Sequence, residues 1–364
     1  MTDPLQRRDF IKTLSLAGAS IAIASPVSVN EGSGGAVIKN EHFTVSFDRM
    51  KGTINIYRSN GVALLTGGIV CINSDSKHYV SFDNYKYTFD SKNVNDQHGP
   101  GKRLVILCKD KGKKMDAEIR LSLYDQLKAV TTEVICQNVS SRDLYINSIE
   151  PLRVLKSEGG KLNVPGVSKC ITNGEMYYDT GAIHEFGTKD DAISSGNLKG
   201  VKLANGPLSS PNETVHSWWN AGLFNGYEKE GLVLGYLEND SCLGNLLITK
   251  TDDDEISFLV ESVYAPQLLL KPGRTISSNR FIINMGADPY VALETYADAV
   301  GKANNARTRS IINGWCSWFY TLSRVSEAEV ISNTEFAAKH LKQFGIEYIQ
   351  VDEGYQRWHG DWEG

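Results

Sequence analysis

The sequence predicts a mainly β protein whose antiparallel sheets stack into a large sandwich, followed near its end by one β-α-β unit. Three observations predict this. From Ala36 to Ile283 short runs alternate apolar with polar residues, and long helical periodicity is nearly absent. At Asp288 the apolar spacing changes to steps of three and four. From Ile311 two apolar runs flank one amphipathic stretch. A period of two fits a strand with one covered face, and many such strands cover those faces most simply against a second sheet.

Residues 1–30 are expected to precede the fold. Arg7-Arg8-Asp9-Phe10-Ile11-Lys12 is a twin-arginine pattern, and a weakly apolar run follows from Thr13 to Ala24. Ala22-Ile23-Ala24 offers small residues at the positions a signal peptidase reads. The run is too short to span a bilayer, so it reads as a signal peptide and not as a membrane anchor. That route carries folded proteins, which makes the periplasm or the medium the expected destination.

Residues 31–285 hold the strands. His42-Phe43-Thr44-Val45-Ser46-Phe47 alternates, and Ile54-Asn55-Ile56-Tyr57 leads through Asn60-Gly61 into a second apolar run. Asn-Gly between such runs predicts a hairpin, because both residues tolerate the positive φ of a type I′ turn. Leu104 to Cys108, Ile119-Arg120-Leu121-Ser122-Leu123 and Val130 to Cys136 continue the pattern. Asp252-Asp253-Asp254-Glu255 reads as a solvated turn, since adjacent carboxylates lack the spacing of a loop that wraps calcium.

Residues 286–310 read as a helix and a link. Asp288 can cap a helix whose first residue is Pro289, and Ala292, Leu293, Tyr296, Ala297 and Val300 recur at helical spacing. Asn304 to Ser310 is polar. In residues 311–364, Ile311 to Trp318 reads as a strand. Ser326 and Glu329 form a capping box, and Val330, Thr334, Ala337, Leu341 and Phe344 mark one helix face. Gly345 ends that helix, and Ile346 to Val351 is the second strand, running directly into Asp352-Glu353. A right-handed crossover would set the two strands parallel. Two strands and one helix cannot close a barrel or cover both faces of a sheet, so this third segment reads as an incomplete domain.

Composition excludes some functions. The 364 residues carry a net charge of −5, with the charges scattered, which gives no electrostatic reason to expect nucleic acid as a partner. A homo-oligomer is compatible with these numbers. The six cysteines (Cys71, Cys108, Cys136, Cys170, Cys242, Cys316) lie far apart without a C-x-x-C, and the seven histidines are dispersed. Neither set has metal-ligand spacing, so no metal and no cofactor is expected.

The chemistry concentrates near the end. Asp352 and Glu353 follow a parallel strand at its C-terminal end, where side chains of a β/α fold meet substrate. Four of the six tryptophans (Trp315, Trp318, Trp358, Trp362) fall around the two strand ends. Aromatic faces beside carboxylates suit a sugar, whose C–H face stacks while its hydroxyls donate to the acids.

Gly314-Trp315-Cys316-Ser317-Trp318, then Ile349-Gln350-Val351-Asp352-Glu353-Gly354-Tyr355-Gln356 and Gly360-Asp361-Trp362, resembles glycoside hydrolase family 36, the α-galactosidases with raffinose synthases as relatives. The close match covers roughly residues 311–364. The resemblance implies an antiparallel β-supersandwich followed by a (β/α)8 (TIM) barrel, of which this chain would hold only the first β-α-β unit. It implies that Asp352 and Glu353 accept hydrogen bonds from the 4- and 6-hydroxyls of galactose and that Trp318 lines the same subsite. Asp361 and Trp362 fall on the loop after the second strand. The family shows two aspartates where this chain has Asp352-Glu353, and the longer glutamate bears on sugar preference.

The resemblance further implies a retaining mechanism whose nucleophile and acid/base come from later barrel strands, so that no residue of this chain is expected to be catalytic. The function so implied is cleavage of terminal α-galactosyl residues from an oligosaccharide or glycoside. A raffinose-synthase-like transglycosylase is one alternative, and a non-catalytic carbohydrate-binding remnant is another. In the latter Trp218-Trp219 would be a stacking platform, although neighbours on a strand face opposite ways. Asn173-Gly174-Glu175-Met176-Tyr177-Tyr178 is a further loop that could reach toward a barrel mouth.

Overall fold

The computed structural model describes residues 34–75, 77–81, 84–174, 181–186, 214–225, 230–250, 255–286, 288–307, 309–358 and 360–362. The proposed signal peptide, Asp252 to Asp254 and Glu175 to Tyr178 lie outside the described residues. The chain divides into two compact units at Ala306/Arg307.

The first unit opens with β1 (Gly35–Lys39), β2 (Phe43–Asp48), β3 (Thr53–Arg58) and β4 (Ala63–Ser74). A short β5 (His78–Val80) precedes the meander β6 (Tyr85–Asp96), β7 (Gly99–Asp110), β8 (Met115–Tyr124) and β9 (Leu127–Asn138). Next come β10 (Leu144–Val154), β11 (Lys161–Leu162), β12 (Lys169–Thr172) and β13 (Ile183–Glu185). β14 (Thr214–Trp218), β15 (Asn220–Phe224), β16 (Gly231–Tyr236) and β17 (Leu243–Lys250) follow. The long β18 (Ile256–Leu270), β19 (Thr275–Ser277) and β20 (Phe281–Gly286) complete the set.

These strands form two antiparallel sheets. The first runs β1-β2-β3-β4-β10-β18-β17-β14 with β5 and β11 at its side. The second runs β13-β12-β15-β16-β20-β9-β8-β7-β6 with β19 beside β9. One continuous core lies between them, with Phe43, Phe47, Ile56, Ile149 and Phe258 from the first sheet and Ile106, Leu121, Leu234 and Phe281 from the second. This is the mainly β, antiparallel sandwich that the alternating runs predict.

The second sheet is also covered on its outer face. Helix α1 (Pro289–Ala303) begins as predicted, with the Asp288 carboxylate accepting from Val291 N–H at 2.9 Å and Pro289 at the first turn. Ala292, Tyr296 and Ala299 pack on Val233, Leu237 and Ile282. Ala297 of the predicted stripe is exposed and Ala299 takes its place. Strand β16 is therefore buried on both faces, Leu232 and Leu234 inward and Val233 outward, which explains its unbroken apolar run.

The Asn60-Gly61 hairpin between β3 and β4 forms, but not through a type I′ turn. Only Gly61 has positive φ (82°), Gly61 N–H donates to Arg58 O at 2.9 Å, and Asn60 Oδ1 accepts from Val62 N–H at 3.0 Å. The asparagine spends its side chain on the turn in place of a left-handed backbone.

All six cysteines are free. Cys108 and Cys136 both pair with Ala117 from opposite sides, so two strand spacings, about 9.6 Å, separate them. That exceeds the reach of a disulfide.

The second unit holds a parallel pair, β21 (Gly314–Cys316) with β22 (Tyr348–Gln350), in the register Gly314–Tyr348, Trp315–Ile349, Cys316–Gln350. Both strands are shorter than predicted. Trp318 is not at a strand end but opens a short helix, α2 (Trp318–Thr321), because Ser317 O already accepts from Thr321 N–H at 3.0 Å. Helix α3 (Glu327–Phe336) starts where Ser326 Oγ accepts from Glu329 N–H at 3.4 Å. It widens to a π turn over Ala337–Leu341, and Gly345 (φ 90°) ends the stretch. Of the predicted helix stripe only Ala337 is buried, and Phe344 is 76% exposed, because two strands offer too little surface to cover it.

Candidate functional site

The end of β22 is organised by hydrogen bonds from β21. Ser317, fully buried, lies just past β21. Its N–H donates to Gln350 O at 3.1 Å and its Oγ accepts from Asp352 N–H at 2.9 Å. Those two bonds carry the strand pairing one step beyond β22 and fix the backbone where the carboxylates begin.

The Asp352 side chain is then held on both oxygens. Oδ2 accepts from Gln350 Nε2 at 3.0 Å and from Cys316 Sγ at 3.5 Å, and Oδ1 accepts from Glu353 N–H at 2.7 Å. Gly354 follows at φ 115°, and a Cβ there would lie 2.6 Å from the Ser323 carbonyl carbon and oxygen. Only glycine lets the chain turn so close to the segment after α2. Gly354 N–H is met by Gln356 Oε1 at 2.9 Å.

The structure thus brings Asp352 and Glu353 into one cluster with Cys316 and Ser317, and Trp318 joins it as the next residue of the chain. Asp352, Glu353 and Trp318 are all partly exposed. Asp361 and Trp362 sit on the loop after β22, turned by Asp361 N–H donating to Trp358 O at 3.0 Å. Asp361 is half-buried, while Trp362 is 76% exposed.

Sequence reasoning passed over Cys316, Ser317 and Gln350. A signal for Gln350 was present: it stands two residues before Asp352 on a strand, so the two side chains share a face. Cys316 reads as an ordinary small thiol until its register partner is known.

A second polar cluster crosses the first sheet. Asn73 Nδ2 donates to Ser148 Oγ at 2.9 Å and to Glu150 Oε1 at 2.7 Å, and Ser148 Oγ donates to Glu261 Oε1 at 2.9 Å. Asn245 Nδ2 donates to Glu261 Oε2 at 3.0 Å, and His216 Nε2 meets Asn245 Oδ1. Arg153 Nη1 reaches Glu150 Oε2 at 3.0 Å. Glu150 and Glu261 are buried at 2% and 0% exposure, so the middle of this row is closed to a ligand, and the row ties β4, β10, β18, β17 and β14 together. Burial pushes the Glu150 carboxyl up to about 7, partly offset by Arg153 and Asn73.

Trp218 is buried at 5% exposure and is no platform. Its neighbour Trp219 has φ 63°, at the step where the chain leaves the first sheet for the second, so strand alternation does not apply there. Glu255, the described member of the acidic run, is paired with Lys156 and Lys161. Asn173, at the start of the loop proposed to reach a barrel mouth, is tied to β14 through Ser217 Oγ at 2.8 Å. Among the described residues no three His, Cys, Asp or Glu side chains converge on a metal position, and no helix is long and apolar enough to cross a membrane.

No family's sequence profile matches the chain. Solved structures do share its fold. The α-galactosidase from Lactobacillus brevis superposes with a TM-score of 0.55 at 12% identity, covering 90% of this chain and 49% of that one. The GH36 α-galactosidase AgaB from Geobacillus stearothermophilus gives 0.55 at 11% identity over 93% and 52%. The galactosidase domain of an α-galactosidase-sucrose kinase gives 0.52 at 9% identity over 88% and 50%. The chain spans about half the length of these structures, and it has the fold of the N-terminal portion of GH36 α-galactosidases.

Proposed function

We propose that this chain forms the sandwich and the first barrel strands of an exported, retaining glycoside hydrolase that removes terminal α-galactosyl residues. The observation that carries the reading is the Asp352-Glu353 pair at the end of the second parallel strand, in a chain whose fold is that of α-galactosidases. In this reading Asp352 accepts hydrogen bonds from ring hydroxyls and does not attack the anomeric carbon. Trp318 and Trp362 offer ring faces to the sugar, and Glu353 and Asp361 supply further acceptors. The bond-breaking carboxylates, about 5–5.5 Å apart in a retaining enzyme, belong to other strands of the barrel. The Arg7-Arg8 leader directs the chain out of the cytoplasm.

The test compares two sugars that differ only at C4. Saturation-transfer NMR with D-galactose and D-glucose is expected to show binding of galactose and little of glucose. Asp352→Asn removes the charge while keeping the shape. A hydrogen bond to a charged group is worth about 1.5–3 kcal/mol, so galactose affinity is expected to fall at least about tenfold. Equal binding of the two epimers, or an unaffected Asp352→Asn variant, would overturn the reading.

A further inference from the structure

We infer that Gln350 and Cys316 are positioning residues that grip the Asp352 carboxylate and leave it one free direction in which to accept a sugar hydroxyl. The inference rests on the reading of Asp352 as a hydroxyl acceptor and adds to it which side chains set its orientation.

An ionised carboxylate offers about four lone-pair positions, and a partly exposed aspartate can exchange between staggered χ1 rotamers as well as turn softly about its terminal bond. Left alone, Asp352 would present any of them. Three donors prevent this: Gln350 Nε2 at 3.0 Å and Cys316 Sγ at 3.5 Å on Oδ2, and Glu353 N–H at 2.7 Å on Oδ1. Two of the three come from a single register pair, Cys316 opposite Gln350, so the grip is built into the pairing of β21 with β22. Ser317 completes it by holding the Asp352 backbone N–H at 2.9 Å.

Gln350 is itself exposed, so burial gives its amide no reason to turn from water to the carboxylate. The charge on Asp352 does. The two donors are unequal, since an amide N–H is strong and a thiol weak. Gln350 therefore carries more of the grip. A hydroxyl in place of the Cys316 thiol should hold the carboxylate at least as well.

The experiment uses the 364-residue chain with selectively labelled aspartate. Three-bond couplings to Cγ report whether Asp352 keeps one χ1 rotamer, and D-galactose is titrated in parallel. Wild type and Cys316→Ser are expected to show one rotamer. Gln350→Ala, and more so the Gln350→Ala/Cys316→Ala double variant, are expected to show averaged couplings. Loss of the Gln350 amide should weaken galactose binding about fivefold, the usual net worth of a hydrogen bond, and further loss of the weaker Cys316 thiol by less, with thermal unfolding unchanged. Cys316→Ser should stay within about twofold of wild type, a rescue that loss of folding alone could not produce. Unaltered couplings in the double variant overturn the inference whatever the sugar does. Averaged couplings in a chain whose wild type binds no galactose would instead overturn the hydroxyl-acceptor reading on which the inference rests.

Discussion

Gly354 concentrates the demands of the site in one residue. Its φ of 115° is open only to glycine, and a Cβ would press into the Ser323 backbone, which cannot swing aside as a side chain could. Gly354→Ala is therefore expected to displace the turn that follows Asp352-Glu353, at a cost of about 1–3 kcal/mol in the second unit. Tryptophan fluorescence on denaturant unfolding would measure it, because Trp315, Trp318, Trp358 and Trp362 all lie in this unit. A transition at the wild-type midpoint would show that the turn tolerates a side chain. At this scale the sequence was only half legible. Asp352, Glu353 and Gly354 announce themselves by type and position, whereas Ser317 and Cys316 gain their roles from a strand partner more than thirty residues away.

At the scale of elements, two buried groups give the sandwich opposing responses to pH. Glu150, raised to about 7 by burial, holds a proton in the folded state at pH values where the unfolded chain has released it. Its contribution favours the fold at acid pH and is lost as pH rises from about 4.5 to 7. His98, at the β6–β7 turn, is 7% exposed, rests edge-on against Tyr124, and its Nε2 has no hydrogen-bond partner among the described residues. Burial and the nearby Arg280 and Lys302 lower its pKa, against the pull of Asp96. Its neutral form stabilises the fold above the ordinary histidine range, and that stability is lost as pH falls through it. The two slopes oppose one another.

Glu150→Gln should remove the falling limb, an effect of at most about 3 kcal/mol, and leave stability rising from pH 5 to 8. Thermal midpoints at pH 5, 6, 7 and 8 would check this, and an unchanged profile would mean that Glu150 titrates normally. No sequence pattern announces this row. Glu150 and Glu261 read as ordinary strand residues until the bulges in β10 bring both to one buried line.

For the whole molecule, the sandwich was legible because alternation is a local signal repeated over some twenty strands. Helix α1 was legible from its cap and its spacing but was read as part of a linker, because a helix's partner, here the doubly covered β16, is not written in its own residues. The second unit keeps Phe319 at 88% exposure and Trp358 at 73%, apolar surface that two strands cannot cover. We predict that the 364-residue chain does not turn over an aryl α-galactoside. Release of the aryl group above the buffer rate, lost in Asp352→Asn, would place bond-breaking chemistry within it.

The six unbridged thiols bear on where this chain can fold. Cys71, Cys108, Cys136, Cys170 and Cys242 are sealed in the sandwich. Burial raises all five, and the thiols of Cys108 and Cys136 each reach about 12, which keeps them protonated and chemically quiet. A sandwich with no bridge to form needs no oxidant and no isomerase, so it can be completed in a reducing cytoplasm. That is compatible with the export in a folded state proposed above. Its melting temperature is accordingly expected to be the same with and without dithiothreitol, and a drop of several degrees on reduction would contradict this.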